Sequence, residues 1–192
     1  MFAYEFENPK FIVSHVKIEH DEKGNGRIWF KKQDFEVDET ESIQISAHIM
    51  ERLEALWGEL AYLSDGVRHQ SEERDYGHLG TMTLTVNRDG VKRTDSFNWT
   101  ENSKAKDLTD EYKKISNQFI WVFDMEVARK NQPLEAPRIM KSIDSYIRRD
   151  SISDPEQLLP YLRKLQDDER IPLIARNHAG RLVERIEKSR KD

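Results

Sequence analysis

"NQFIWVFDMEVARKNQ", Asn117 to Gln132, sets five apolar residues in a row, three of them aromatic, inside a chain of which 35% is charged. Whether Phe119 to Phe123 is a strand, a membrane contact, an exposed partner site or one buried helix decides how the rest is read. Leu108, Tyr112, Ile115, Phe119 and Val122 follow one another at steps of four, three, four and three, and Pro133 supplies the stop. The spacing predicts one long helix that contains the run. Five residues are too few for a membrane, whose crossing needs roughly 20. A helix apolar around most of its circumference is a core helix. Phe119 and Val122 are therefore expected to face a sheet and Ile120, Trp121 and Phe123 a second layer, so that the run joins a sheet domain to a helical extension.

Upstream, "KFIVSHVKIEH" and "GRIWFKK" read as two strands around "DEKGNG", where Gly24, Asn25 and Gly26 can adopt the positive φ of a tight hairpin. Ile12, Val16 and Ile18 form its apolar side. After an acidic link, "DFEVDETES", an amphipathic helix carries Ile49, Leu53, Leu56, Leu60 and Leu63, with Ser46 as N-cap and Gly66 as stop. "TMTLTVNRDGVKRTDSFNW" reads as a second hairpin turning at "RDG". The expected fold is α+β, an antiparallel sheet of about four strands in the order ββαββα covered on one face by helices, because a one-sided apolar sheet must be covered by something. The sheet domain spans residues 1–132 and a helical extension 133–192. In the extension Pro137 opens a helix bearing Ile139, Ile143, Tyr146 and Ile147, and Ser153 and Glu156 stand at capping-box spacing.

The strand and helix order of the first part resembles that of some small bacterial ββαββα domains of uncharacterised function, which implies a fold and no activity. At residues 155–187, "LLPYLRKLQDDERIPLIARNHAGRLVERI" resembles a single HEAT-type helical hairpin, with Leu158, Leu159, Pro160, Leu162 and Leu165 in its first helix, Asp168 at its turn, and Arg176, Ala179 and Leu182 in its second. HEAT repeats bury their apolar faces against neighbouring copies. This chain has no tandem copy, so the hairpin must pack on something else.

Composition narrows the chemistry. With 36% apolar residues the chain can fill a core, and its start, "MFAYEFENPKF", lacks the basic flank and apolar stretch of a secretory signal, so a soluble cytoplasmic protein is expected. Cysteine is absent, which removes disulfides, thiol nucleophiles and cysteine-based metal sites. The net charge of −5 argues against a general nucleic-acid binder. No GxSxG elbow or phosphate-cradling glycine loop is present. "DEKGNG" fails as a calcium loop because Lys23 and Lys32 fall where carboxylates are needed. His15 and His20 are five apart on a strand, which sends them to opposite faces. His48 and Glu51 read as exposed polar residues of a helix, and the four tryptophans as core aromatics. The polar loop over residues 64–80 reads as a connection; were it to hold a metal, His69 and His78 come first, with Glu72 and Asp75 beside them.

The leading expectation is a non-catalytic protein-interaction or accessory-subunit protein, a partner or a second copy being met through Trp121, Leu162, Leu165, Ile174 and Leu182, with no cofactor. The alternatives are a metal- or small-ligand-dependent enzyme using the 64–80 loop, and nucleic-acid binding through Arg176, Arg181, Arg185 and Lys188, where acidic residues interrupt the basic patch.

Overall fold

Apolar and polar residues alternate along the start of the chain, and that alternation supplies the strand at the centre of the sheet. In the computed structural model, which describes residues 1–33, 37–64 and 67–190, six antiparallel strands lie in the order β4-β3-β2-β1-β5-β6: β1 Phe2–Glu7, β2 Val13–His20, β3 Asn25–Lys32, β4 Glu39–Gln44, β5 Thr81–Arg88 and β6 Val91–Phe97. The α+β class is as expected; the sheet has six strands, not about four. The added strands are β1, whose Phe2, Tyr4 and Phe6 alternate with Ala3, Glu5 and Glu7, and β4, in the acidic link, where Ile43 alone is buried and alternation gives almost no signal.

The register sorts side chains into rows. On the inner face Ile28, Ile18, Tyr4, Leu84 and Asp95 form the middle row, flanked by Phe30, Val16, Phe6, Met82 and Phe97 on one side and by Gly26, His20, Phe2, Val86 and Arg93 on the other. The first helix, α1 (Ala47–Glu59), and the start of the second, α2 (Ser103–Asn131), cover this face, as Phe2 against Trp57 and Tyr4 stacked on Tyr112 at 5.2 Å show. The outer face is mainly polar: Thr40, Trp29, Lys17, Glu5, Thr83 and Ser96 in one row, Lys31, His15, Glu7 and Thr81 in the next. Trp29 therefore lies half-buried on the polar face and not in the core, and Ile12, just before the bulge that opens β2, is 73% exposed.

Turn chemistry fixes the register. Between β2 and β3, Asp21 accepts the backbone N–H groups of Lys23 and Asn25 at 2.8 and 2.9 Å, and Gly24 alone takes a positive φ. Gly26 serves a different need: a Cβ there would stand 2.1 Å from the Glu19 carbonyl oxygen. Between β5 and β6, Asp89 and Gly90 both have positive φ, the two-residue hairpin that the "RDG" stretch suggested.

Helix α1 is shorter than its apolar spacing suggests. After Glu59 the chain enters three consecutive left-handed residues without a glycine, Ala61, Tyr62 and Leu63, each costing about 1 kcal/mol or more, and the turn keeps Leu60 and Leu63 buried. Gly66, the expected stop, lies outside the described residues, as do Asp65 and the Asp34–Glu36 part of the acidic link. Helix α2 is a single element through the opening run, capped by Asn102, whose Oδ1 accepts the N–H groups of Lys104 and Ala105.

The chain divides into two units, Met1–Ser116 and Asn117–Asp192, so the boundary falls inside α2 and not after Gln132. The second unit holds the rest of α2 with α3 (Ala136–Arg148), α4 (Leu159–Gln166) and α5 (Leu173–Ser189). Its core gathers Trp121, Met125 and Ala128 with Ile139, Met140 and Ile143 of α3, the leucines of α4, and Ala179, Leu182 and Ile186 of α5. Val122 packs against this cluster. Asp154 caps the turn before α4, accepting Gln157 N–H at 3.1 Å. At the α4–α5 turn the buried Arg129 reaches Asp168 at 2.6 Å and also pairs with Glu126, and Arg170 bonds the same carboxylate at 2.9 Å. Arg170, followed by Arg129, holds the Asp168 carboxyl far below the usual range.

Candidate functional site

Asp95 is the one acidic member of the inner rows that is fully buried, in register with Leu84, and a carboxylate in that position needs donors. The loop between α1 and β5 supplies them. His69 brings its backbone N–H to Asp95 Oδ2 at 2.9 Å and its Nδ1 to the same oxygen at 2.6 Å, and both side chains are buried. With Nδ1 donating to the carboxylate, Nε2 is left buried without a hydrogen-bond partner.

From Gln70 to Tyr76 the loop is fastened to the residues just after β6 rather than being a free connection. Gln70 accepts the Asn98 N–H at 2.9 Å, Ser71 N–H donates to the Trp99 carbonyl at 3.0 Å, and Tyr76 N–H donates to Asn98 Oδ1 at 3.1 Å. Asp75 accepts from Asn98 Nδ2 at 2.5 Å, and the Tyr76 ring meets the half-buried Trp99 edge-on. The four candidate ligands of the loop do not converge: His69 turns inward to Asp95, Asp75 turns to Asn98, and Glu72 and His78 are exposed.

A second buried histidine anchors the core. His20 and His15 lie on opposite faces, as a period of two requires. On the inner face His20 Nδ1 meets the Asp21 carbonyl at 2.8 Å, which can only accept, so Nδ1 carries the proton. Nε2 then accepts from the Tyr112 hydroxyl at 2.7 Å, and Trp57 Nε1 donates to that hydroxyl at 3.1 Å. Every side-chain polar atom of this relay has a partner. Burial lowers the His20 pKa and raises that of Tyr112, so both stay neutral.

On the outer face His15 meets Glu5 at 2.8 Å, and Glu7 stands directly across the strand pair from His15. Among the described residues, Glu5, Glu7 and His15 form the one group of three metal-ligating side chains whose donor atoms lie within 4.8 Å of one another. Sequence spacing could not find it, because the contact is between strands; the alternation of Glu5 and Glu7 with Phe6 was its visible half.

Of the residues expected to meet a partner, Trp121, Leu162, Leu165 and Leu182 lie in the core of the second unit, the Trp121 indole donating to the Ile139 carbonyl at 2.9 Å. Ile174 is 63% exposed, next to Leu173 at 60%. Of the basic residues of α5, Arg185 is paired with Asp144, while Arg181 and Lys188 are exposed. Among the described residues, no helix is long and apolar enough to cross a membrane. No protein-family model matches the chain, and no curated protein matches it in sequence.

Proposed function

We propose that the protein acts by binding, as a non-catalytic partner or accessory subunit, and that it meets another protein through the head of α5. The observation that carries this reading is the exposure of two adjacent large aliphatic side chains, Leu173 and Ile174, where the other apolar residues of the hairpin are spent on the core. Burying each side chain on association removes roughly 1.5–3 kcal/mol of unfavourable hydration. The exposed charged residues Asp167, Glu169 and Arg170 lie in the turn before the pair, separated from it by the buried Ile171 and by Pro172, and supply the polar surround that an apolar contact patch carries.

The test is light scattering after size exclusion, with capture from the native cell, on the full chain and on the double variant Leu173→Glu, Ile174→Glu. Both positions face solvent, so the variant keeps its circular dichroism and melting temperature. The wild type is expected to form a dimer or a defined complex that the double variant loses. A monomer that captures nothing, or a complex indifferent to the substitutions, overturns the reading.

A further inference from the structure

Three side chains of ligand type rise from one side of two adjacent strands: Glu5 and Glu7, two residues apart on β1, and His15, opposite Glu7 on β2. Both strands are interior to the sheet, β2 being paired on its far side with β3 and β1 with β5, so the backbone beneath the cluster is held by ladders on both flanks. Only side-chain rotation is needed to bring the donor atoms to a common point.

A second observation concerns charge. Lys17 stands directly across from Glu5 and would be its natural counter-ion. Its ammonium goes elsewhere, to Glu19 at 2.6 Å and over the Trp29 ring at 5.5 Å. Glu7 has no ion-pair partner among the described residues. Two carboxylates are thus held side by side on a rigid face with the neighbouring lysine turned away, an arrangement a bound cation relieves.

We infer that Glu5, Glu7 and His15 bind one divalent cation of the zinc type. An imidazole nitrogen with two carboxylate oxygens suits a borderline metal, whereas calcium and magnesium take oxygen ligands. In a tetrahedral zinc site, bonds of about 2.0–2.1 Å put ligand atoms roughly 3.4 Å apart. The His15–Glu5 contact of 2.8 Å opens by about half an ångström on binding, exchanging one hydrogen bond for two metal bonds. Coordination needs the Nε2 lone pair, so the ring proton now given to Glu5 is relocated to Nδ1, and protons compete with the metal for imidazole and carboxylates as the solution is acidified. His15 and Glu5 side chains are 24% and 35% exposed, which keeps the site reachable, and three protein ligands leave a fourth position to water.

Calorimetric titration of the full chain with Zn2+ at neutral pH tests this. One ion per chain is expected, with affinity reduced at least about tenfold by Glu7→Gln and by His15→Ala, since loss of outer-shell partners alone costs roughly 10- to 100-fold. The double variant His48→Ala, His78→Ala removes two exposed imidazoles elsewhere and keeps the wild-type affinity. Circular dichroism of the metal-free proteins shows that each variant is folded; if Glu7→Gln is not, Glu5→Gln replaces it. The inference is overturned by absence of saturable binding in the wild type, by binding that survives His15→Ala combined with Glu7→Gln, or by binding lost with His48 and His78.

Discussion

His20 and His69 are equally buried and are built in opposite ways. His20 sits in the interior rows of the sheet and ends a neutral relay, Trp57 to Tyr112 to His20 to the Asp21 carbonyl, in which each donor finds one acceptor. His69 arrives from a loop to serve a carboxylate, and its service to Asp95 leaves Nε2 without a partner. The first arrangement uses a histidine to complete a core; the second uses one to make a misplaced charge tolerable. Burial alone does not tell these roles apart, but the accounting of both ring nitrogens does.

The largest expected effect comes from removing the charge that His69 serves. Asp95→Ala leaves two buried N–H donors unpaired and should lower stability by about 3 kcal/mol in denaturant titration. A loss below about 1 kcal/mol means that the pair is dispensable and the contrast with His20 is reversed. Next in size is Tyr112→Phe, which keeps the ring stacked on Tyr4 but strands Trp57 Nε1–H and His20 Nε2, for about 2 kcal/mol. An additive double variant is expected, because the two sites share no bond; strong coupling would make them one network.

The smallest effect is a slope with pH. An unfolded histidine titrates near 6.5, and burial holds folded His20 lower. Above pH 6.5 both states are neutral and the stabilisation is fully present. Below it the unfolded chain takes a proton that folded His20 refuses, so stability falls with acidification by up to about 1.4 kcal/mol per pH unit until the folded pKa is reached. His178, also lowered by burial, adds a slope of the same sign. His20→Gln should remove part of the dependence between pH 6.5 and 5.5, and an unchanged slope would place its origin elsewhere.

Period and turn signals carried much of the architecture. The helical stripe through Leu108, Tyr112 and Ile115 and the hairpins at "DEKGNG" and "RDG" are local patterns, and local patterns are legible. Strand β1 was legible too, in Phe2, Tyr4 and Phe6, whereas β4 offers only Ile43 and no alternation to read. The clusters were out of reach for a different reason. Asp95 with His69, and Glu5 with Glu7 and His15, exist only once register is set, and register belongs to pairs of strands. Partner-facing and core-facing residues share one signature as well: Leu162, Leu165 and Leu182 have the spacing of an apolar face whichever way that face turns.

Helix α2 runs through the boundary between the two units, so the chain has no linker at which to be divided. A protease that needs an extended segment finds helix at Ser116 and Asn117. A fragment ending at Gln132 would carry Trp121, Met125 and Ala128 into water without the α3, α4 and α5 residues that enclose them, and would be prone to aggregate for that reason alone. Self-association of such a fragment reports the wound left by the cut and says nothing of the intact protein.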